Sequence, residues 1–336
     1  MPKIINGKPC YSQFEIFPIK GYFSKFGAHQ TMLEDKIRMT AYKNALRKAI
    51  IPGKSIIVEI GTGTGILSLL AARYGARKIY TFELGPIANL AKKIISDNHF
   101  ENTIEVITKP FEEVSLPEKA DIIVSETLGL IGIEENTVNI FYNVKQKFGK
   151  KDTILIPYEL EIYCCPSSSK TVIPMKKFWE NSIESFNFST IKNLTSNNIY
   201  SRLLINKASL LSQKSICNDY ILGKNKELTN TSNHRFIINK NGNIEGFTIW
   251  FNAKLYKDIA INTQPGSKTH WQQSFILCEK PVRLRKKDCI NLSLSFSKID
   301  DETVVEWKYE IIRSKQLLLE GFGSNRDIIN YSKGKF

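Results

Sequence analysis

Three carboxylates in an apolar loop pose the first chemical question. In the stretch SETLGLIGIEEN, residues 125–136, Glu126 precedes a run of aliphatic residues and glycines, and Glu134 and Glu135 follow it. An unpaired charge is costly to bury. Two acids brought together near a core repel each other, and a cation between them removes that cost. Recognition of a cation is therefore the chemistry this loop can do, and its neighbours must say which cation.

A second constellation lies upstream, in KSIIVEIGTGTGILSLLAARYGA. Residues 56–60 form a short β-branched run suited to a buried parallel strand. Gly61, Gly63 and Gly65 allow a tight turn and close approach of the backbone to a ligand, and residues 66–74 follow helical patterning. The next strand, RKIYTFEL, ends near Glu83, about 20 residues after the glycines, where an acid accepts hydrogen bonds from a ribose. The spacing is G-x-G-x-G, and Glu59 sits two residues before the first glycine. That acid would repel a pyrophosphate and attract an ammonium group. A ligand with both a ribose and an amino-acid tail is S-adenosylmethionine, which makes methyl transfer the leading reading and a dinucleotide-dependent oxidoreductase its rival.

These residues need a scaffold. Strand and helix patterns alternate through IANLAKKIISDN, IEVITKPF and KADIIVSE. Such alternation predicts a parallel sheet with its ligand at the carboxyl ends of the strands. The second half reads differently, as β-strands separated by turn residues: GFTIWFNAKLY, SFILCEKPVRL, CINLSLSFSKI and TVVEWKYEII. The chain of 336 residues suits two domains, and its 42% hydrophobic and 24% charged residues suit a globular protein. No apolar run reaches the roughly 18–20 residues of a membrane span. The start, MPKIINGKPCYSQFEIF, lacks a secretory apolar block, so a cytoplasmic location and no membrane are expected. The six cysteines form no CxxC pair and there are only four histidines, so no metal is expected. The net charge of +14 divides as +5 over residues 1–157 and +9 over the rest. That spread, with no dense basic arm, argues against nucleic acid as a partner.

Several motifs together resemble the protein arginine methyltransferase family, in a type I-like form. HQTMLEDKIRMTAY resembles its cofactor-clasping helix, VEIGTGTGIL its glycine motif, FEEV its adenine-side motif, SETLGLIGIEEN its double-glutamate loop, and KTHWQQ its Thr-His-Trp loop. The resemblance implies a Rossmann-like methyltransferase domain over residues 1–156 and a β-barrel domain over 157–336. It places the junction near a cis-proline at Ile156–Pro157 and a helical dimerisation arm near 178–194, hence a homodimer. It further implies catalytic roles for Glu126, Glu135, His270 and Asp35, the last two as a tie between the N-terminal helix and the barrel over the active site, with relay of the proton lost after transfer as the alternative, and a place on the substrate pocket wall for Trp271. Cofactor contacts fall to His29, Met32, Arg38, Glu59, Gly61, Gly63, Gly65, Glu83 and Glu112. Glu134 is left as a bystander.

A guanidinium suits the acid pair. It keeps its charge, and its planar fork of donors matches carboxylates two at a time. Held between Glu126 and Glu135, it would present one nitrogen to the sulfonium methyl in line, and positioning of that kind lowers barriers by several kcal/mol. Departures from the family pattern leave the substrate open: Thr127, Leu128 and Leu130 stand where a Trp, a Met and a Tyr are usual, and Thr137 replaces a common Met. In YFSKF, the aromatic that would cover the cofactor is unassigned among Tyr22, Phe23 and Phe26. An RNA- or ribosome-directed methyltransferase and an inactive binding module are the alternatives.

Overall fold

The computed structural model describes residues 26–332, apart from 180, 300 and 301, together with two short strands near the start. Those strands, β1 (Lys3–Ile5) and β2 (Lys8–Cys10), pair antiparallel. Tyr22 and Phe23 lie outside the described residues, and Phe26 is 74% exposed. Helices α1 (Phe26–Glu34) and α2 (Lys36–Ala49) follow. The sequence reads as one helix here, but Asp35 leaves the helical region at φ −70°, ψ 94° and caps α2, its side chain accepting from the Arg38 N–H. Aspartate competes with the helix backbone in this way wherever a turn can start on its side chain.

The first sheet contains β3 (Ile56–Ile60), β4 (Lys78–Phe82), β5 (Ile104–Ile107), β6 (Ala120–Ser125) and β7 (Gly149–Ile156). Helices α3 (Ile66–Arg73), α4 (Ile87–Asp97) and α5 (Thr137–Phe148) alternate with them. The order is β5-β4-β3-β6-β7, and every pair is parallel. β3 is buried along its whole length, Glu59 included, as its otherwise apolar character requires in a sheet covered on both faces. Strand order reverses between β3 and β6, so the loops after these two strands open onto the same crevice. The glycine motif follows β3 and the acid loop follows β6.

A cis Ile156–Pro157 bond leads from β7 into β8 (Glu159–Ser167). After helices α6 (Ile173–Phe178) and α7 (Ser189–Ser196) come β9 (Ile199–Leu203), β10 (Ser215–Ile221), β11 (Asn230–Ile237), β12 (Gly242–Tyr256) and β13 (Ile259–Asn262). The chain ends with β14 (Gln273–Leu284), β15 (Cys289–Ile299), β16 (Glu302–Arg313), β17 (Gln316–Ser324) and α8 (Arg326–Ser332). The expected barrel is built from two antiparallel sheets, one ordered β10-β8-β12-β14-β9 with β13 beside β12, the other β11-β15-β16-β17. Their inner faces share a core in which the rings of Phe247 and Tyr309 lie 5.5 Å apart. Among the described residues, no helix is long and apolar enough to cross a membrane.

Candidate active site

One cavity of about 200 Å³ gathers most of the residues singled out by the sequence. His29, Met32 and Arg38 line it from α1 and α2, Glu59, Gly61 and Gly63 from the end of β3, Glu83 from the end of β4, and Glu126, Thr127 and Glu135 from the acid loop. Gly65 stands at the start of α3 with φ +85°. Gly63 needs to be glycine twice over: its φ is +53°, and a Cβ there would meet the His29 ring at 3.1 Å.

Glu83 organises the rim. One of its carboxylate oxygens accepts from the Gly63 N–H at 3.0 Å and the other from the Gly85 N–H at 2.8 Å. Glu59 is 1% exposed, and the hydroxyls of Ser68 and Thr81 donate to the same carboxylate oxygen. Burial, reinforced by the nearby charge of Glu83, pushes Glu59 up to about 7 despite these donors.

Glu126 and Glu135 face the same cavity in different company. Glu126 takes the Arg38 guanidinium, with Nε donating at 2.7 Å, while Arg38 Nη1 donates to the Met32 carbonyl at 3.2 Å. Burial alone would lower the Arg38 pKa, and the Glu126 charge overrides it and raises it. Glu135 lies well above the ordinary carboxylate range because of burial first, then the charges of Glu126 and Glu134. Of the two loop acids, Glu135 is the one poised to gain from an added cation.

The barrel domain holds the loop from outside. Asp35 accepts from both the backbone N–H and the Nδ1 of His270, at 2.8 and 2.9 Å. Burial raises Asp35, but these donors and the Arg38 N–H bring it below its ordinary value. The Trp271 indole donates to the Leu128 carbonyl at 2.8 Å. At Gly132, φ is +98° and a Cβ would press on Leu160 and Phe251 of the barrel at 3.1–3.2 Å. The loop is therefore clamped between the parallel sheet and the barrel.

Comparison with known proteins agrees with this assembly. The model described as arginine methyltransferase oligomerization subdomain matches residues 161–311, and that of ribosomal protein L11 methyltransferase (PrmA) matches residues 28–146. Protein arginine N-methyltransferase 1 of Caenorhabditis elegans is 28% identical over 82% of this chain and 82% of its own length. Its namesake from Chlamydomonas reinhardtii is 29% identical over 80% of each. The Trypanosoma brucei PRMT1 enzyme–prozyme heterotetrameric complex with AdoHcy has a TM-score of 0.81 at 24% identity, covering 90% of this chain and 99% of that one. The chain thus resembles protein arginine methyltransferases over most of its length.

Three of the expected residues have surroundings that the sequence did not foretell. Trp271 is 2% exposed and packs edge-on against Phe251, so it supports the acid loop from beneath and is not among the residues lining the cavity. A buried indole N–H needs an acceptor, and the Leu128 carbonyl supplies it. Glu112 lies in the short 3-10 helix Phe111–Glu113, exposed and away from the cavity lining. Arg38, forecast on the cofactor carboxylate, gives its guanidinium to Glu126.

Two residues that sequence reasoning passed over, Tyr42 and Arg202, and one that it set aside, Glu134, also matter. Tyr42, one turn after Arg38, is fully buried and donates to the Ser125 carbonyl at 3.0 Å, pinning α2 to the end of β6. Glu134 folds back onto the Ile131 N–H at 2.8 Å and the Ile133 N–H at 3.1 Å, so it shapes the loop that carries Glu135. Burial raises it to about 7 in spite of those donors. Sequence could not show this, because a carboxylate bonding its own loop leaves no spacing signature. Arg202, on β9, contributes a positive charge felt by Glu135. The unusual Thr127 and Thr137 bond each other, the Thr137 hydroxyl donating to the Thr127 carbonyl, and so close the two ends of the loop.

Proposed function

We propose that this protein transfers a methyl group from S-adenosylmethionine to a guanidino nitrogen of arginine. The observation that carries the reading is the convergence of Glu126 and Glu135 with the glycine motif, Met32 and Glu83 on one cavity at the strand-order reversal. The residues present fit the cofactor: Glu83 is fixed at the end of β4 for a ribose, the glycine turn admits close approach, and buried Glu59 lies beside the turn for an ammonium group. When bound, S-adenosylmethionine supplies a methyl group already activated by its sulfonium.

The protein's own part is binding and alignment. Glu126 and Glu135 hold the guanidinium by charge-assisted hydrogen bonds and turn one nitrogen toward the reacting position. Arg38 fixes Glu126, so that acid keeps its orientation. The Asp35–His270 pair ties the start of α2 to the barrel and so positions the helix that carries Arg38. Met32 on the cavity wall supports monomethyl and asymmetric dimethyl products, as in the type I-like pattern. A homodimer through the excursion near 178–194 is part of the proposal, supported by the match to the oligomerization subdomain. A reducing cytoplasm is the proposed compartment, supported by the cysteine pattern of the sequence.

Incubation with isotopically labelled cofactor, followed by mass spectrometry of arginine, arginine peptides and arginine-rich proteins, tests the reading. Labelled methyl groups on guanidino nitrogens are expected. Label found only on RNA, or on no guanidino compound, overturns it.

A further inference from the structure

Three hydroxyls link the acid loop to the tips of β3 and β6. The Ser125 hydroxyl, at the end of β6, donates at 2.8 Å to the Ile60 carbonyl at the end of β3. The Thr127 hydroxyl oxygen lies 3.2 Å from that of Ser125 and 3.5 Å from that of Thr137. Thr137, at the start of α5, donates to the Thr127 carbonyl. A hydroxyl owns one proton and two lone pairs, and a carbonyl only accepts. The protons of Ser125 and Thr137 are therefore committed to carbonyls, and Thr127 must be the donor in any bond it shares with either. Its oxygen keeps its lone pairs, and among the described residues no donor is directed at it. Ser125 and Thr137 are fully buried, whereas Thr127 is half-buried and lines the cavity between Glu126 and the glycine turn. A Cβ on Gly61 would stand 3.5 Å from the Thr127 methyl.

We infer that Thr127 is a substrate-positioning residue, whose hydroxyl oxygen accepts a hydrogen bond from the guanidino group held by Glu126 and Glu135. The inference rests on the arginine-methylation reading and deepens it. An arginine side chain presents five N–H donors in one plane. Two carboxylates with all their oxygens open could take four of them as two forks. Glu126 is not open in this way, because Arg38 Nε and Nη2 both donate to its Oε2, at 2.7 and 2.5 Å. The acid pair therefore leaves guanidinium donors to be met by something else, and a donor buried without a partner is expensive. Of the residues that the acid loop gives to the cavity lining, Glu126, Thr127 and Glu135, Thr127 is the neutral acceptor. Its proton points to the buried Ser125 and Thr137, so the negative end of its dipole is left for the cavity side, where it suits a cation. Being neutral, it adds an acceptor without adding a third charge to two acids that already repel each other.

Two variants separate the oxygen from the rest of the side chain. Thr127→Val removes it but keeps the branched shape and the backbone carbonyl that Thr137 holds, whereas Thr127→Ser keeps it and drops the methyl. The probes are free arginine and an end-blocked Gly-Arg-Gly peptide, titrated calorimetrically into the protein loaded with S-adenosylhomocysteine and assayed for methylation with labelled S-adenosylmethionine. Thr127→Val should weaken binding of whichever probe the wild type takes by about tenfold, the scale of one hydrogen bond to a charged group, and Thr127→Ser should stay within about threefold of the wild type. Affinity for S-adenosylhomocysteine should be unchanged in both, which also checks their folding. Probe binding that depends on the oxygen, with no methylation of either probe by the wild type, would keep this role for Thr127 and sink the methylation reading. Equal probe affinity in the wild type and Thr127→Val, equal losses in the two variants, or a parallel loss of S-adenosylhomocysteine affinity would overturn the role, and methylation seen alongside would leave the reading standing. Failure of both probes to bind the wild type would overturn both.

Discussion

Glu126 and Glu135 are chemically identical, and their surroundings divide the work between them. Arg38 sits on Glu126 at 2.7 Å, whereas Glu135 is held above the ordinary carboxylate range by burial and by its acidic neighbours. Replacing either with Gln keeps the shape and removes a charged partner worth roughly 1.5–3 kcal/mol, so turnover should fall by at least about tenfold to a hundredfold. Cofactor affinity, measured calorimetrically, should change little. Undiminished turnover in both variants would remove them from the mechanism. The pH dependence follows from the same asymmetry. A raised carboxyl must lose its proton to hold a guanidinium, so substrate affinity should climb as pH rises through a value above the usual carboxylate range. Glu135→Gln should flatten that limb, and an identical pH profile in the variant would assign it elsewhere. Stability should move the other way. Glu59 and Glu134 are raised from 4.5 to about 7 by burial, so they favour folding most below 4.5. That contribution is lost as pH rises toward 7. Urea unfolding of the ligand-free protein at pH 5 and pH 7.5 should show the two-site variant Glu59→Gln/Glu134→Gln losing less stability over that interval than the wild type; equal slopes would contradict the burial argument.

At the scale of elements, the site depends on α2 being started at Asp35 and tied to the barrel by the same side chain. One oxygen of Asp35 takes the Arg38 N–H and the other takes His270. Asn caps a helix about as well as Asp, whereas Ala loses roughly 1 kcal/mol of capping. Asp35→Asn should therefore spare thermal stability while weakening the charge-assisted bond to His270 and lowering cofactor affinity; Asp35→Ala should lose both. Unchanged cofactor affinity in both variants would show that the tie is dispensable. The parts of this architecture that could be read from sequence are those with a period or a residue-type requirement. The apolar run Ile56–Ile60 announced a buried parallel strand, and the strand-like stretches parted by turn residues beyond residue 240 announced a β domain. The glycine turn could be placed because positive φ beside a ligand calls for glycine. The break at Asp35 was hidden because the surrounding residues are all good helix formers and the cap is a single side-chain choice. The Leu128 partner of Trp271 was hidden because the need of a buried indole N–H for an acceptor has no signature in sequence.

At the scale of the whole molecule, the excursion between β8 and β9 is the segment least explained by a single copy of the chain. α6 and α7 lie outside the sheets, and the stretch they span leaves Phe178 54% and Phe186 71% exposed. Trp179 packs edge-on against Phe178 at 4.9 Å and lies 6.2 Å from Phe188, so the aromatic residues cluster on the excursion and add nothing to the barrel core. Exposed aromatic surface of this kind, bordered by polar residues, is characteristic of an interface. A closed pair in which each copy offers the same surface is the commonest way to cover it. The proposed homodimer thus has a physical motive that is separate from the family match. Light scattering of the wild type should give a mass near twice that of the 38.4 kDa chain. Phe178→Ser with Phe186→Ser should shift the mass to that of the monomer without unfolding the barrel, because neither ring is buried in it. If the dimer also braces the α1–α2 helices over the cavity, the double variant should lose cofactor affinity in parallel with its dimer fraction as the protein is diluted. A wild type that is monomeric at micromolar concentration and fully active would remove the arm from both assembly and catalysis.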